Sequence, residues 1–166
     1  MLGIGATAAS SSLAAGIPAA TKAEKTFNLD YAPHAGMFAA HAGDNFIDQI
    51  KFMHDQGFRS IEDNGLMKRP VALQEEIGNT LAKLNMTMGV FVVDKGGNGA
   101  NTLAAGKKEY IDIFLNGCRQ AVEVAKRVNA KWATVVPGDF ERALPIGIQT
   151  GNVIEALRRG AEILEP

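Results

Sequence analysis

The chain has 166 residues, 46% of them hydrophobic and 21% charged, with a formal net charge of −1. That is enough chain for one core and hardly for two, and it carries no basic field to attract nucleic acid or an anionic membrane. The single cysteine, Cys118, excludes an internal disulfide framework. It lies in a helical run among apolar residues with no activating cation in view, which is the setting of a buried structural thiol rather than a nucleophile.

Met1 to Ala23 is rich in Ala, Gly and Ser and has no charge before Lys22. Residues 1–23 are therefore read as a truncated export signal or a disordered leader, with small residues suited to cleavage at Leu13-Ala14-Ala15 and Pro18-Ala19-Ala20. The positive start of such a signal is missing, and the stretch is too weakly apolar for a membrane span. An exported, periplasmic location follows from this reading, with a cytoplasmic one as the alternative.

Residues 27–166 carry a strand–helix rhythm that repeats four times, the pattern of an α/β fold with a parallel sheet. Phe27-Asn28-Leu29-Asp30-Tyr31 alternates as a first strand, and Pro33 ends it. Asp44 suits the N-cap of a helix whose inward face is Phe46, Ile47, Ile50 and Met53. Gly57 suits the left-handed position after that helix, and Phe58 to Glu62 is the second strand. Pro70 opens a helix with the stripe Leu73, Ile77, Leu81 and Leu84, and Asn85 terminates it. Met86 to Val93 is almost continuously apolar, as in a strand buried on both faces. Lys107 to Val128 is a long helix ended by Asn129, and Lys131 to Val136 is the fourth strand, begun by Trp132 as a packing residue and stopped by Pro137-Gly138. Gln149 to Leu164 is the last helix, with Val153, Leu157, Ala161 and Leu164 inward.

In parallel α/β folds the loops after the strand C-termini carry function. Those loops here are Tyr31 to His41, Glu62 to Arg69, Asp94 to Gly106 and Pro137 to Gln149. His34 and His41 flank the first, with no carboxylate or cysteine at recognised metal-ligand spacing. His54 reads as a solvated helix residue. Glu62, at a strand end, is placed to bind a substrate hydroxyl or act as a base, or else to pair with a nearby Lys or Arg. Asp94 and Asp139 hold equivalent strand ends, where capping competes with function. Gly96-Gly97-Asn98-Gly99 fits neither GxGxxG nor GxxxxGK[ST], so a mobile lid is preferred to a phosphate cradle.

Several of these segments resemble a known group. Ile47 to Glu62, ending Gly57-Phe58-Arg59-Ser60-Ile61-Glu62, is similar to the first helix and second strand of the xylose isomerase-like TIM barrels, above all the hydroxypyruvate isomerase group. Leu84-Asn85-Met86 with Gly89-Val90-Phe91 is similar to the third strand, and Ala121 to Lys131 with Val135-Val136-Pro137-Gly138 to the fourth. That family is a barrel of eight units and roughly 250 residues. The resemblance therefore implies the N-terminal half of a (β/α)8 barrel. It implies that the divalent-metal ligands and the two catalytic glutamates sit on strands five to eight. On this reading Mg or Mn serves the full-length protein, these residues bind none, and the chain alone is inactive. Tyr31, His34, Glu62 and Asp94 would line the pocket for a sugar or hydroxy-carbonyl substrate. Leu164-Glu165-Pro166 superficially matches the family's fifth-strand motif, but it continues the last helix and is read as its end.

The function implied is an aldose–ketose type isomerase, with an epimerase of the same barrel family as an alternative, since one barrel supports several reactions. The near-neutral charge counts against a DNA-repair branch. A small flavodoxin-like doubly wound domain acting as a binding module is the alternative fold, and a fragment without an independent role is a third reading. A half-barrel has two open sheet edges, so self-association through them is expected.

Overall fold

Helix dominates the chain wherever apolar residues recur at helical spacing, and the strands between are short. A computed structural model describes residues 27–165, so the expected leader lies outside the described residues. The elements are α1 (Ala39–Ala42), α2 (Phe46–Asp55), β1 (Ser60–Ile61), α3 (Val71–Lys83), β2 (Thr87–Met88), β3 (Phe91–Val92), α4 (Lys108–Val128), β4 (Ala133–Thr134) and α5 (Ile146–Leu164), with 3-10 turns at Leu66–Lys68 and Leu103–Ala105. This is a mixed α/β fold with small parallel sheets. No helix among the described residues is long and apolar enough to cross a membrane.

β1 pairs in parallel with β2, Ser60 opposite Thr87, and β3 pairs in parallel with β4, Phe91 opposite Ala133. Gly89 N donates to the Ile61 carbonyl at 2.7 Å, and Asp63 N to that of Val90 at 3.2 Å, so β2 and β3 are halves of one passage. A parallel bridge between His34 and Glu62 adds the stretch before α1. Four passages of chain thus lie side by side in sequence order. A doubly wound sheet reverses its strand order, and this one does not. No barrel closes among the described residues.

The helices form one chain of contacts, α2 on α3, α3 on α4 and α4 on α5. Between them and the sheet lies the core: Ile50, Met53, Ile61, Ile77, Phe91, Leu103, Phe114, Cys118 and Ala121 are each almost fully buried. Each large member contributes about 1.5–3 kcal/mol by leaving water.

Apart from Ser60, which is buried on the other side, burial reaches one face of the sheet only. Met86, Met88, Phe91 and Val93 are buried, whereas Thr87 is exposed and Gly89, Val90 and Val92 are half-buried. The expected two-faced burial of this passage is therefore corrected. Its apolar run reflects a slip of phase between Met88 and Phe91, not a second covering layer. Trp132 is likewise no packing residue among the described residues, at 72% exposed beside the open edge of β4. At the other edge His34 is capped locally. Its N–H points at Met37 Sδ, 3.2 Å away, and its carbonyl accepts from Met37 N at 3.2 Å.

Three boundaries also shift. Phe27–Tyr31 forms no strand. The paired stretch is Pro33–Ala35, where Pro33, lacking an N–H, uses its carbonyl to accept from Glu62 N at 3.0 Å. Asn45, not Asp44, caps α2, its Oδ1 accepting from Ile47 N at 2.9 Å. α5 begins at Ile146 and buries Gln149, Ala156 and Gly160 most deeply, leaving Val153, Leu157, Ala161 and Leu164 partly buried. The last helix does run through Leu164, as its sequence predicts.

The seating of α4 depends on Gly117. A Cβ there would stand 2.3 Å from the Asp94 carbonyl oxygen. Gly117→Ala should cost about 3 kcal/mol, because backbone rather than a flexible side chain would have to yield. Gly151→Ala, where a Cβ meets open space, should stabilise α5 by roughly 0.5–1 kcal/mol. Urea denaturation of the two variants measures both.

The Cys118 thiol, fully buried against α5, is pushed by burial from 9.0 up to about 11, with Arg119 pulling weakly the other way. The folded chain then keeps a proton that the unfolded chain has lost. The associated stability is full below pH 9.0 and is lost as pH rises through about 11. Two units correspond to about 3 kcal/mol. Denaturant midpoints across that range should fall more steeply for the parent chain than for Cys118→Ala.

Candidate functional site

Alternation along the second passage separates its residues by role. Ile61 and Asp63 turn toward the helices and are buried, so Ser60 and Glu62 share the opposite face. Ser60 Oγ donates to the Thr87 carbonyl and accepts from Thr87 Oγ1 at 3.0 Å, which knits that face together. Register places His34 beside Glu62 on it. His34 Nδ1 lies 2.7 Å from the Ala35 carbonyl and so carries the proton, leaving Nε2 as an acceptor in the neutral ring. Glu62 is half-buried and makes no ion pair among the described residues. The fold thus brings His34 and Glu62 together at the C-terminal end of the strands.

The other two expected lining residues stand elsewhere. Tyr31 is 53% exposed, its ring edge-on to Phe27, which packs on Phe58 at the start of the second passage. That is the opposite end of the strands from Glu62. Asp94 serves as a turn cap, accepting from Gly96 N at 2.9 Å, with Lys68 Nζ 3.9 Å away. The cleft it shares with Asn64 and Lys68 holds about 40 Å³, room for a water but not for a sugar. His41 is exposed and stacks on Phe52, and His54 is partly exposed beside Asp55.

The loop after β3 is no free lid. The buried Lys95 ammonium donates to the carbonyls of Gly97 and Asn98, at 3.2 Å each, and of Ala100. Asn101 Nδ2 returns to the Lys95 carbonyl at 2.6 Å. Leu103 N then bonds the Pro137 carbonyl at 2.8 Å, Thr102 Oγ1 bonds that of Asp139, and Asn152 of α5 bonds that of Ala104. Burial holds the Lys95 ammonium below the usual lysine range, with Asp139 and Asp94 opposing the shift.

Sequence reasoning passed over two further groups. One is the pair of Asp63, 1% exposed, and Arg69, whose Nε donates to Asp63 Oδ2 at 2.5 Å. The other is a recurring clamp. Gln49, Gln74 and Gln149 are each the fourth residue of a helix, α2, α3 and α5, and each is buried. Gln49 accepts from Gly36 N and donates to the Gly43 carbonyl. Gln74 donates to the Leu66 and Arg69 carbonyls and accepts from Arg127. Gln149 accepts from Glu141 N and donates to the Leu144 carbonyl. The spacing of these glutamines from their helix starts was the available signal.

Among the described residues no three His, Cys, Asp or Glu side chains gather to hold a metal ion. No protein-family model and no curated protein matches the chain.

Lys95→Met would leave three loop carbonyls without their donor. The expected outcome is a loss of roughly 1–3 kcal/mol and faster proteolytic cleavage between Gly96 and Asn101. Unchanged stability and cleavage would show that the ammonium does not hold the loop.

Proposed function

We propose that this chain supplies the first four βα units of a xylose isomerase-like barrel, and with them one side of a pocket for an aldose–ketose type isomerase. The observation that supports this reading is the sequential, all-parallel strand order beneath a single helical layer, with His34 and Glu62 as neighbours on the uncovered face. Barrels of this type build their active sites at that end of the strands.

The reaction moves a proton between adjacent carbons of a sugar or hydroxy-carbonyl substrate. In this proposal Glu62 accepts a hydrogen bond from a substrate hydroxyl, and His34 Nε2 accepts a second. Asp94 shapes the rim through the turn it caps. Tyr31, at the far end of the strands, has no part in the pocket. The acid–base glutamates and the ligands for Mg or Mn belong to other strands of the barrel. Export through residues 1–23 remains part of the proposal, as does pairing of the exposed β4 edge with further strands or a second copy.

The test is an aldose–ketose exchange assay of the whole gene product with Glu62→Gln beside it. The substitution keeps shape and removes charge. It should lower kcat/KM about tenfold or more, equivalent to roughly 1.4 kcal/mol, with little change in Tm. Unchanged kinetics with a lower Tm would make Glu62 a structural residue and remove the reading's main support.

A further inference from the structure

We propose that the loop after β3 is a cage for a monovalent cation of ammonium size, and that its resident cation is the chain's own Lys95. Lys95 is 3% exposed, and its Nζ donates to the carbonyls of Gly97 and Asn98, at 3.2 Å each, and of Ala100. A lysine in a glycine-rich loop ordinarily carries its charge out to water. This one turns inward to meet a ring of acceptors.

The backbone is wound to make that ring. Gly96, Gly97 and Asn101 take positive φ, at 91°, 117° and 47°. Glycine and asparagine are the residues that enter this region most readily. A Cβ on Gly96 would stand 2.7 Å from Asn101 Nδ2, which donates to the Lys95 carbonyl at 2.6 Å. The far side of the loop is tied to the segment after β4, through Thr102 Oγ1 to the Asp139 carbonyl and Leu103 N to that of Pro137. Occupancy of the cage is thereby coupled to the order of two loops at the strand ends.

Its chemistry selects the charge and size of the occupant. Three convergent carbonyls match the three N–H donors of one ammonium. Asp139 and Asp94 add a negative field at the same point. Neither carboxylate bonds the ammonium among the described residues, and Asp94 Oδ1 is taken by Gly96 N at 2.9 Å. Mg²⁺ and Ca²⁺ hold oxygens at about 2.0–2.6 Å and rely on carboxylates. A cage that offers only carbonyls, two of them 3.2 Å from its centre, fits a larger single charge. Because that charge is tethered, the loop takes no ion from solution. Gly97 and Asn98 then stay fixed as walls of the 40 Å³ cleft beside Asp94.

Chemical rescue tests this, and neither readout below depends on isomerase activity. Lys95→Ala in the full chain keeps the cage and removes its cation. The Leu103 amide should then exchange with solvent about tenfold or more faster than in the parent. Propylammonium, which supplies the missing atoms, should restore protection saturably. Propanol, of similar shape but uncharged, should not, and nor should tetramethylammonium, which is charged but has no N–H. Equal restoration by propanol or tetramethylammonium would overturn the proposal, as would a variant that propylammonium leaves unprotected or one that exchanges as the parent does. Should the variant fail to fold, the parent chain decides the matter by NMR of isotope-labelled lysine. One ammonium signal should exchange its protons about tenfold or more slowly than those of exposed lysines. Uniform exchange across the lysines would overturn the proposal.

Discussion

α4 lies flat on the end of β3 because residue 117 has no side chain to hold it off the Asp94 carbonyl. That contact sets the height of the longest helix, and the layer is built around it. On one flank α4 meets α3. On the other, Gly160 of α5 lets the Phe114 ring and the Cys118 sulfur approach closely. The same carbonyl belongs to the residue that begins the Lys95 loop. One backbone approach therefore positions both the helical layer and the start of the loop that joins β3 to α4. A methyl group at residue 117 would push on both.

The helices were legible because their apolar residues recur at helical spacing and their ends carry visible stops. Asn85 and Asn129 take positive φ, and so does Gly57, where the sequence predicts the turns. The strands were less legible. Residues 27–31 alternate as a strand does, but alternation without a partner passage does not make one, and the real pairing falls across Pro33. In the third passage, composition hides a change of phase, since Val on an open face and Val in a core look alike in sequence. Trp132 was misread for the same reason: hydrophobicity reports a preference, and only the neighbouring chain decides whether it is met.

The site was legible in part. Glu62 and His34 were found from their place after strands, and register brings them together. Tyr31 was grouped with them by proximity in sequence, but three residues of extended chain carry a side chain about 10 Å along the sheet. Arg69 and Asp63 escaped notice because an Asp next to a candidate Glu reads as more of the same. The one-residue step moves it to the other face, where it serves an arginine. Lys95 escaped because a lysine in a glycine-rich loop reads as solvated, whereas three carbonyls make it the centre of that loop.

The glutamine clamps bear on how such a chain acquires its shape. Each joins a helix start to the loop just before it, across thirteen residues for Gly36 and Gln49 and only five for Leu144 and Gln149. The strand pairing of Ser60 with Thr87 spans 27. Short closures sacrifice little chain entropy and form early, whereas strand pairing must wait for a whole unit to be present. A polypeptide emerging from the ribosome meets its own local locks first. The units that end in α2, α3 and α5 thus hold their own loops through local contacts, and the backbone polar groups there find partners without waiting for the neighbouring strand.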